Sequence, residues 1–342
     1  MKKEIAELYS RSPFVPHPAL WNPHAQTIVS SVLRRPRARL SRQSEPRYFD
    51  VALGVRVLAH CSWQADRQRR QTVLILHGLE GSAESPYMLG TAEKALRAGF
   101  NALRINHRNC GGTEDLTPTL YHAGLTDDVR QIICELIERD GLREICLVGF
   151  SLGGNIALKL AGELGPRAPK ELKKVVAVSP SLDLMSCADA IEMRSNIIYH
   201  MSFLSSLRGR MRRKARLFPD RYDGSRLRGI RTIRQFDSIY TAPHSGFRDV
   251  TDYYERASAL PHLKHIALPT MIIQARDDPF IPFAPFERPE IASNPHIGLV
   301  ATRHGGHVGF IAASVEEGDR FWAESRAIEF LRLPLKSADS AL

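Results

Sequence analysis

Short, nearly unbroken apolar runs recur along the chain at Thr72 to Leu76, Asn101 to Asn106, Ile145 to Gly149, Lys174 to Ser179, Thr270 to Gln274 and Ile297 to Ala301. Their length and composition read as buried strands. Longer amphipathic stretches lie between and after them: Glu84 to Ala98 ending at Gly99, Val129 to Arg139, the run from Asn155 to Ala161, and Val315 to Leu331. These read as helices, the last as a closing helix. Arg47 to Leu53 and Val55 to Cys61 flank Gly54 and read as an opening antiparallel pair. Thr126, Asp127 and Asp128 precede an apolar period and read as caps. Alternating strands and helices predict an α/β fold: a mostly parallel central sheet with helices on both faces. No internal repeat is visible.

One gap breaks this rhythm. The span from Ser179 to Pro269 is too long for a single crossover helix, so an insertion is expected there. It is strongly basic: Arg194 to Arg234 holds 12 Lys+Arg against 2 Asp+Glu, an excess equal to the formal net charge of +10 of the whole chain. A second basic cluster, Arg34, Arg35, Arg37, Arg39, Arg42 and Arg47, is offset by acids elsewhere. Apolar residues lead into the basic run: Ile197, Ile198, Tyr199, Met201, Phe203, Leu204 and Leu207. An insertion of this kind suits a cap, its apolar part lining a pocket and its basic part facing water or anionic groups. A solvated basic face with no partner is an equally open reading. The run lacks the interleaved aromatics of a single-strand-binding platform, so no nucleic-acid partner is expected. The expected organisation is an N-terminal extension at 1–46, a core at 47–188 and 262–335, the basic cap at 189–261, and a flexible tail at 336–342.

Composition narrows the class. With 342 residues, 43% hydrophobic and 25% charged, the chain can bury one large core. Cys61, Cys110, Cys134, Cys146 and Cys187 are odd in number and lack metal-type or redox spacing. No disulfide framework is expected, and a reducing compartment fits. The N-terminus has basic residues but no apolar core of a signal peptide, and no run approaches 18 apolar residues. A cytoplasmic location, with peripheral membrane contact at most, is the expectation.

The chemistry centres on Gly149-Phe150-Ser151-Leu152-Gly153, between the predicted strand and the helical run after it. G-x-S-x-G in that setting is a nucleophile elbow: glycines let strand and helix approach, and the serine hydroxyl stands at the sheet's edge beside a helix N-terminus. Alone the motif is common, and its bland reading is a Gly-rich turn. What gives it weight is the order of its partners. After Thr270 to Gln274 come Asp277 and Asp278, at the strand end where a triad acid belongs. Asp277 and Asp278 are both candidates on position alone, and a turn role is the alternative for either. After Ile297 to Ala301 come His304 and His307, which compete as base: His304 lies nearer the strand end, and His307 lies on a glycine-bracketed loop that could bend back over the sheet edge. No third ligand group accompanies the two histidines, so no metal is expected, nor any cofactor. His77-Gly78-Leu79, after another strand, reads as an oxyanion turn, with backbone N–H groups of Leu79 and Leu152 as the donors.

The chain resembles the YheT-type α/β-hydrolases, relatives of the eukaryotic lung alpha/beta hydrolase-like proteins. The resemblance is carried by Pro18-Ala19-Leu20-Trp21-Asn22-Pro23-His24-Ala25-Gln26-Thr27, His77-Gly78-Leu79-Glu80-Gly81-Ser82, Asn106-His107-Arg108-Asn109-Cys110-Gly111-Gly112, the elbow, Tyr121-His122-Ala123-Gly124, Phe236-Asp237-Ser238-Ile239-Tyr240-Thr241-Ala242-Pro243, Asp252-Tyr253-Tyr254 and the Asp278 and His307 motifs. It spans about residues 16 to 332. It implies Ser151, Asp278 and His307 as a catalytic triad and carboxylic-ester hydrolysis, with lipid esterase or acyltransferase activity among relatives. Acyl transfer to an alcohol, and a non-catalytic lipid- or nucleic-acid-binding role for the basic insertion, are the rival expectations. Trp21, His24 and Gln26 are expected to pack rather than bind substrate. Cys110 is expected to be a structural thiol, and Arg108 a buried loop anchor.

Overall fold

The computed structural model describes residues 2–35, 39–40, 44–316 and 318–334. The expected tail at 336–342 therefore lies outside the described residues, as do Arg37 and Arg42. Eight strands form one sheet: β1 Ser44–Ala52, β2 Val55–Ser62, β3 Thr72–Leu76, β4 Asn101–Ile105, β5 Ile145–Phe150, β6 Leu172–Val178, β7 Thr270–Ala275 and β8 Ile297–Thr302. Their spatial order is β1-β2-β4-β3-β5-β6-β7-β8. β1, β2 and β4 pair antiparallel, and every junction from β4 to β8 is parallel. Ala52 opposes Val55 across the turn at Gly54, whose φ of +68° a side chain disfavours.

Strand parity sorts the core into two layers. Leu74, Leu76, Leu147, Val175, Ala177 and Ile272 face one side of the sheet, while Val73, Ile75, Val148, Val176, Met271 and Ile273 face the other. Helices cover both. The helix Asp127–Glu138 buries Val129, Ile132, Ile133 and Leu136, spaced for one helical face, on the first side. The helices Pro86–Arg97 and Trp322–Arg332 cover the second with Met88, Ala92, Leu96, Trp322, Ala327 and Ile328.

Two local expectations change. Val315 to Leu331 is not one helix. Ile311–Glu316 and Asp319–Phe321 form a two-stranded antiparallel ribbon, β9 and β10, and the helix starts only at Trp322. Backbone pairing explains the difference, because the N-terminal segment claims this stretch: the N–H of His17 donates to the Ile311 carbonyl at 2.9 Å, and that of Ala313 to the Val15 carbonyl at 2.8 Å. The helix begins at Asp127, so Asp128 lies in its first turn, and Thr126, at the N-cap position, makes no side-chain capping bond. Thr126 donates its hydroxyl to Glu163 at 2.6 Å, and Asp128 takes two guanidinium bonds from Arg108, one of 2.7 Å. A charge-assisted, two-pronged contact outweighs a neutral cap. Arg108 is the loop anchor expected of it, and also donates to Thr119 at 2.7 Å.

The span between β6 and β7 is largely helical. It contains helices Leu184–Ile191, Ile197–Leu217, Ile233–Phe236 and Val250–Ala257, with a π turn at Asp237–Thr241. Its basic run is not simply a solvated face. Arg210 and Lys214 turn inward and are buried, and Lys214 donates to the carbonyls of Glu114, at 2.8 Å, and Thr117. Arg213 bonds Glu114 at 2.6 Å, and Arg234 pairs with Asp189. Arg194, Arg212, Arg216, Arg226, Arg228 and Arg231 remain exposed.

Candidate active site

Ser151 sits between β5 and the helix Leu152–Leu164 with φ +52° and ψ −119°, a conformation that disfavours any side chain. Such strain persists only where the surroundings impose it. Here they do: a Cβ at Gly149 would come within 2.3 Å of the Gly153 carbonyl oxygen, and one at Gly153 within 2.4 Å of that of Leu76. Only glycine at both positions lets strand, helix and β3 pack this closely. The turn after β3 abuts the same point, since a Cβ on Gly78 would lie 3.0 Å from that of Ser151. Leu152 opens its helix, so its N–H has no intrahelical acceptor. Leu79 and Leu152 line one cavity with Ser151.

The His77 side chain is part of the turn's framework. It is fully buried, accepts the His107 N–H at Nε2 (3.1 Å), and contacts the Gly78 carbonyl through Nδ1 at 2.7 Å. That pairing places its proton on Nδ1. Burial, with the nearby His107, pushes its pKa well below the usual value, so the ring is neutral. Tyr87 adds a hydroxyl that accepts the Gly78 N–H at 3.0 Å.

Beyond β7 and β8 the structure forms two acid–imidazole pairs. Asp278 Oδ2 meets His307 Nδ1 at 2.8 Å, and its Oδ1 accepts the N–H groups of Phe280 (3.1 Å) and Ile281 (3.0 Å). Asp277 Oδ2 meets His304 Nδ1 at 3.1 Å, and its Oδ1 accepts the Gly306 N–H at 3.0 Å. His307 lines a cleft shared with Ser151, its ring 4.1 Å from that of Phe280. His304 instead stands 5.0 Å from the exposed Trp21 ring. Among the described residues no cluster of three His, Cys, Asp or Glu side chains could hold a metal ion.

Sequence reasoning missed how closely the N-terminal motif serves this loop. Thr27, on the helix Pro23–Val32, accepts the His307 N–H at 2.9 Å. Gln26 is fully buried; its amide oxygen accepts the Ile311 N–H at 2.8 Å and its NH2 donates to the Ile311 carbonyl at 3.1 Å. A Cβ at Gly306 would meet the Pro23 carbonyl oxygen at 2.4 Å. His24 does pack, stacking on Tyr199 with a 3.1 Å bond to its hydroxyl. Polar residues inside an apolar helical pattern were the signal available.

Ser151 lines two spaces, which also share Leu79, Phe203 and Phe280. A cleft lined by Ile28, Leu79, Tyr87, Ile198, Tyr199 and His307 reaches the surface. A largely apolar cavity of about 100 Å³ runs beneath the β6–β7 helices past Leu184, Ile191, Phe203, Leu207, Ile233 and Ile281. Its apolar lining is the kind that receives an acyl chain. Asp237 and Cys187 also line it. Burial pushes the Cys187 thiol well above its usual value, and that of Cys110 up to about 12, so neither is a ready thiolate.

Comparison with known proteins accords with the fold. Residues 71–313 match the alpha/beta hydrolase fold family. The chain is 32% identical to "Putative esterase YheT" of Escherichia coli over 97% of its own length and 96% of that protein's. It is 29% identical to a monoacylglycerol lipase of Saccharomyces cerevisiae, across 76% of this chain and 59% of the lipase. It is 28% identical to phospholipase ABHD3 of Bos taurus, across 72% and 60%. The solved structure of the Pyrococcus furiosus esterase Pf2001 superposes with a TM-score of 0.57 at 19% identity, covering 87% of this chain and 98% of the esterase, a likeness of fold. The chain thus belongs to the esterase- and lipase-type α/β-hydrolase family, in its YheT-type group.

Proposed function

We propose that the chain hydrolyses carboxylic esters of acyl or lipid-like substrates through a covalent acyl-enzyme, with Ser151 as nucleophile, His307 as base and Asp278 as its orienting acid. The reading rests on one observation above all: the strained Ser151 elbow faces the cleft lined by an imidazole whose other nitrogen is held by a buried carboxylate. With its proton on Nδ1 toward Asp278, His307 presents a bare Nε2 to accept the serine proton as Ser151 Oγ attacks the ester carbonyl. Asp278 stabilises the imidazolium that results. The Leu79 and Leu152 N–H groups receive the developing oxyanion, a contribution worth roughly 2.7–4 kcal/mol per donor. His307 then protonates the departing alkoxide, and the same imidazole activates water to release the acid. The apolar cavity holds the acyl chain beneath the β6–β7 helices, which act as a cap.

Lipid character is supported by the rim. Ile28 and Val32 on one helix, and Ile197, Ile198 and Met201 on another, are exposed, and Ile28 and Ile198 also line the cleft leading to Ser151. This face, with Arg194 beside it, is the surface by which the protein would meet an anionic bilayer. A p-nitrophenyl ester series of rising chain length tests the proposal. Wild type should show an optimum at medium or longer acyl chains and Ser151→Ala should show no turnover. A folded Ser151→Ala enzyme with near-wild-type hydrolysis would overturn it.

A further inference from the structure

Arg210, one of the two buried cations on the helix Ile197–Leu217, lies against the oxyanion turn. Glu80 directly follows Leu79 and is itself left-handed, with φ +55°. A non-glycine residue in that region needs something to hold it. Three contacts do. Its N–H donates to the Tyr121 hydroxyl at 3.1 Å, and that hydroxyl donates to Glu80 Oε1 at 3.0 Å. Arg210, from the helix Ile197–Leu217, grips the same carboxylate oxygen through Nε at 2.9 Å and a terminal nitrogen at 2.8 Å. The Arg210 guanidinium also lies 4.7 Å from the centre of the Tyr121 ring. Arg210 and Glu80 side chains are only 5% and 7% exposed. Burial works against the Arg210 charge, but Glu80 and the other groups around it raise its pKa, so it stays a cation. The Tyr121 phenol, raised well above its usual value by burial and by Glu80, stays a donor.

We infer that Arg210 is a positioning residue: by clamping Glu80 it fixes the Leu79 N–H where the oxyanion forms, so docking of the cap helix completes the oxyanion site. This assigns a task to a cation in the basic insertion, and it rests on the hydrolase reading above. A purely structural ion pair predicts something different. Removing one partner strands a buried charge and destabilises the fold, and removing both relieves the penalty. A misplaced donor instead lowers turnover however stable the variant is.

The test uses the full chain with Arg210→Met, Glu80→Gln and the double variant. Each is assayed by ester kinetics, thermal unfolding and inhibition by a trifluoromethyl ketone, whose serine adduct carries a tetrahedral oxyanion. Arg210→Met should lower kcat by about 10- to 100-fold, less than loss of a whole donor, with KM changed by no more than about threefold. Ketone affinity should fall in parallel with kcat/KM. The double variant should regain Tm without regaining kcat. A folded Arg210→Met enzyme with kcat within about threefold of wild type, or full recovery of kcat in the double variant, would overturn the inference. Wild type and Ser151→Ala run alongside: hydrolysis surviving in Ser151→Ala would sink the hydrolase reading itself, whereas a silent Ser151→Ala beside an unaffected Arg210→Met would sink only the positioning role.

Discussion

Two acid–imidazole pairs lie side by side, built from consecutive aspartates and from histidines three residues apart, yet their surroundings differ. His307 and Asp278 side chains are 9% and 0% exposed, against 24% and 18% for His304 and Asp277. The inner carboxylate spends its second oxygen on two backbone donors at the end of β7, so it is fixed on both sides. The outer carboxylate spends its second oxygen on the Gly306 N–H, within the loop that carries His307. One pair shares a cleft with Ser151; the other props the loop from outside. Near-identical chemistry in sequence is thus divided by burial and by whether the imidazole lines the cleft at Ser151.

The largest way to break this comparison is at the inner pair. His307→Ala should lower kcat by about 10⁴-fold or more in line with losses of triad members elsewhere, and Asp278→Asn by about 10⁴-fold through the wrong tautomer. His304→Ala should lower it by no more than about threefold, and Asp277→Asn by about tenfold or less, through slack in the loop. Steady-state kinetics on a soluble p-nitrophenyl ester check all four. Equal losses at Asp277 and Asp278 would erase the distinction.

A smaller effect should come from the support behind the loop. Thr27→Val removes the acceptor of the buried His307 N–H. It should cost about 1–3 kcal/mol, read as a lowered denaturation midpoint, with activity falling less than in Asp278→Asn.

The outer rim offers a test that leaves the chemistry alone. Val32→Ser, Ile197→Ser and Met201→Ser combined should leave kcat on a soluble short-chain ester within about twofold. The same variant should lower hydrolysis of a long-chain ester in anionic vesicles by about tenfold, measured by product release against lipid concentration.

The smallest expected effect is a pH dependence of stability at Asp237. Burial pushes its carboxyl up to about 6, against the opposing bonds from Thr241 and Tyr254. A raised acid is protonated more readily in the fold than in the unfolded chain. Its stabilising contribution is therefore fully present below about pH 3.8 and lost as pH rises through about 6. Asp237→Asn, neutral throughout, should gain Tm relative to wild type as pH goes from 4 to 7, by thermal scans at fixed ionic strength.

The sheet was legible because buried strands announce themselves as apolar runs, and the candidate site because its proposed residues sit at strand ends. Ser151, Asp278 and His307 follow β5, β7 and β8, and the structure brings the last two within 2.8 Å of each other. The ribbon of Ile311–Glu316 and Asp319–Phe321 was not legible, because the bridge that holds its first strand comes from the N-terminal segment, some three hundred residues away. Nor was the inward turn of Arg210 and Lys214: a run of cations looks solvated until Glu80 and the Glu114 and Thr117 carbonyls fold against it. Asp128 read as a cap for the same reason, its partner Arg108 being twenty residues away. Long-range polar pairing leaves no periodic trace.

The most direct test of the account is to label the protein with a fluorophosphonate and locate the adduct by peptide mass spectrometry, in wild type, His304→Ala and His307→Ala. The account predicts a single adduct on Ser151, formed at near-wild-type rate without His304 and slowed by at least about 100-fold without His307. An adduct on another residue, or labelling that survives loss of His307 but fails with loss of His304, would contradict it.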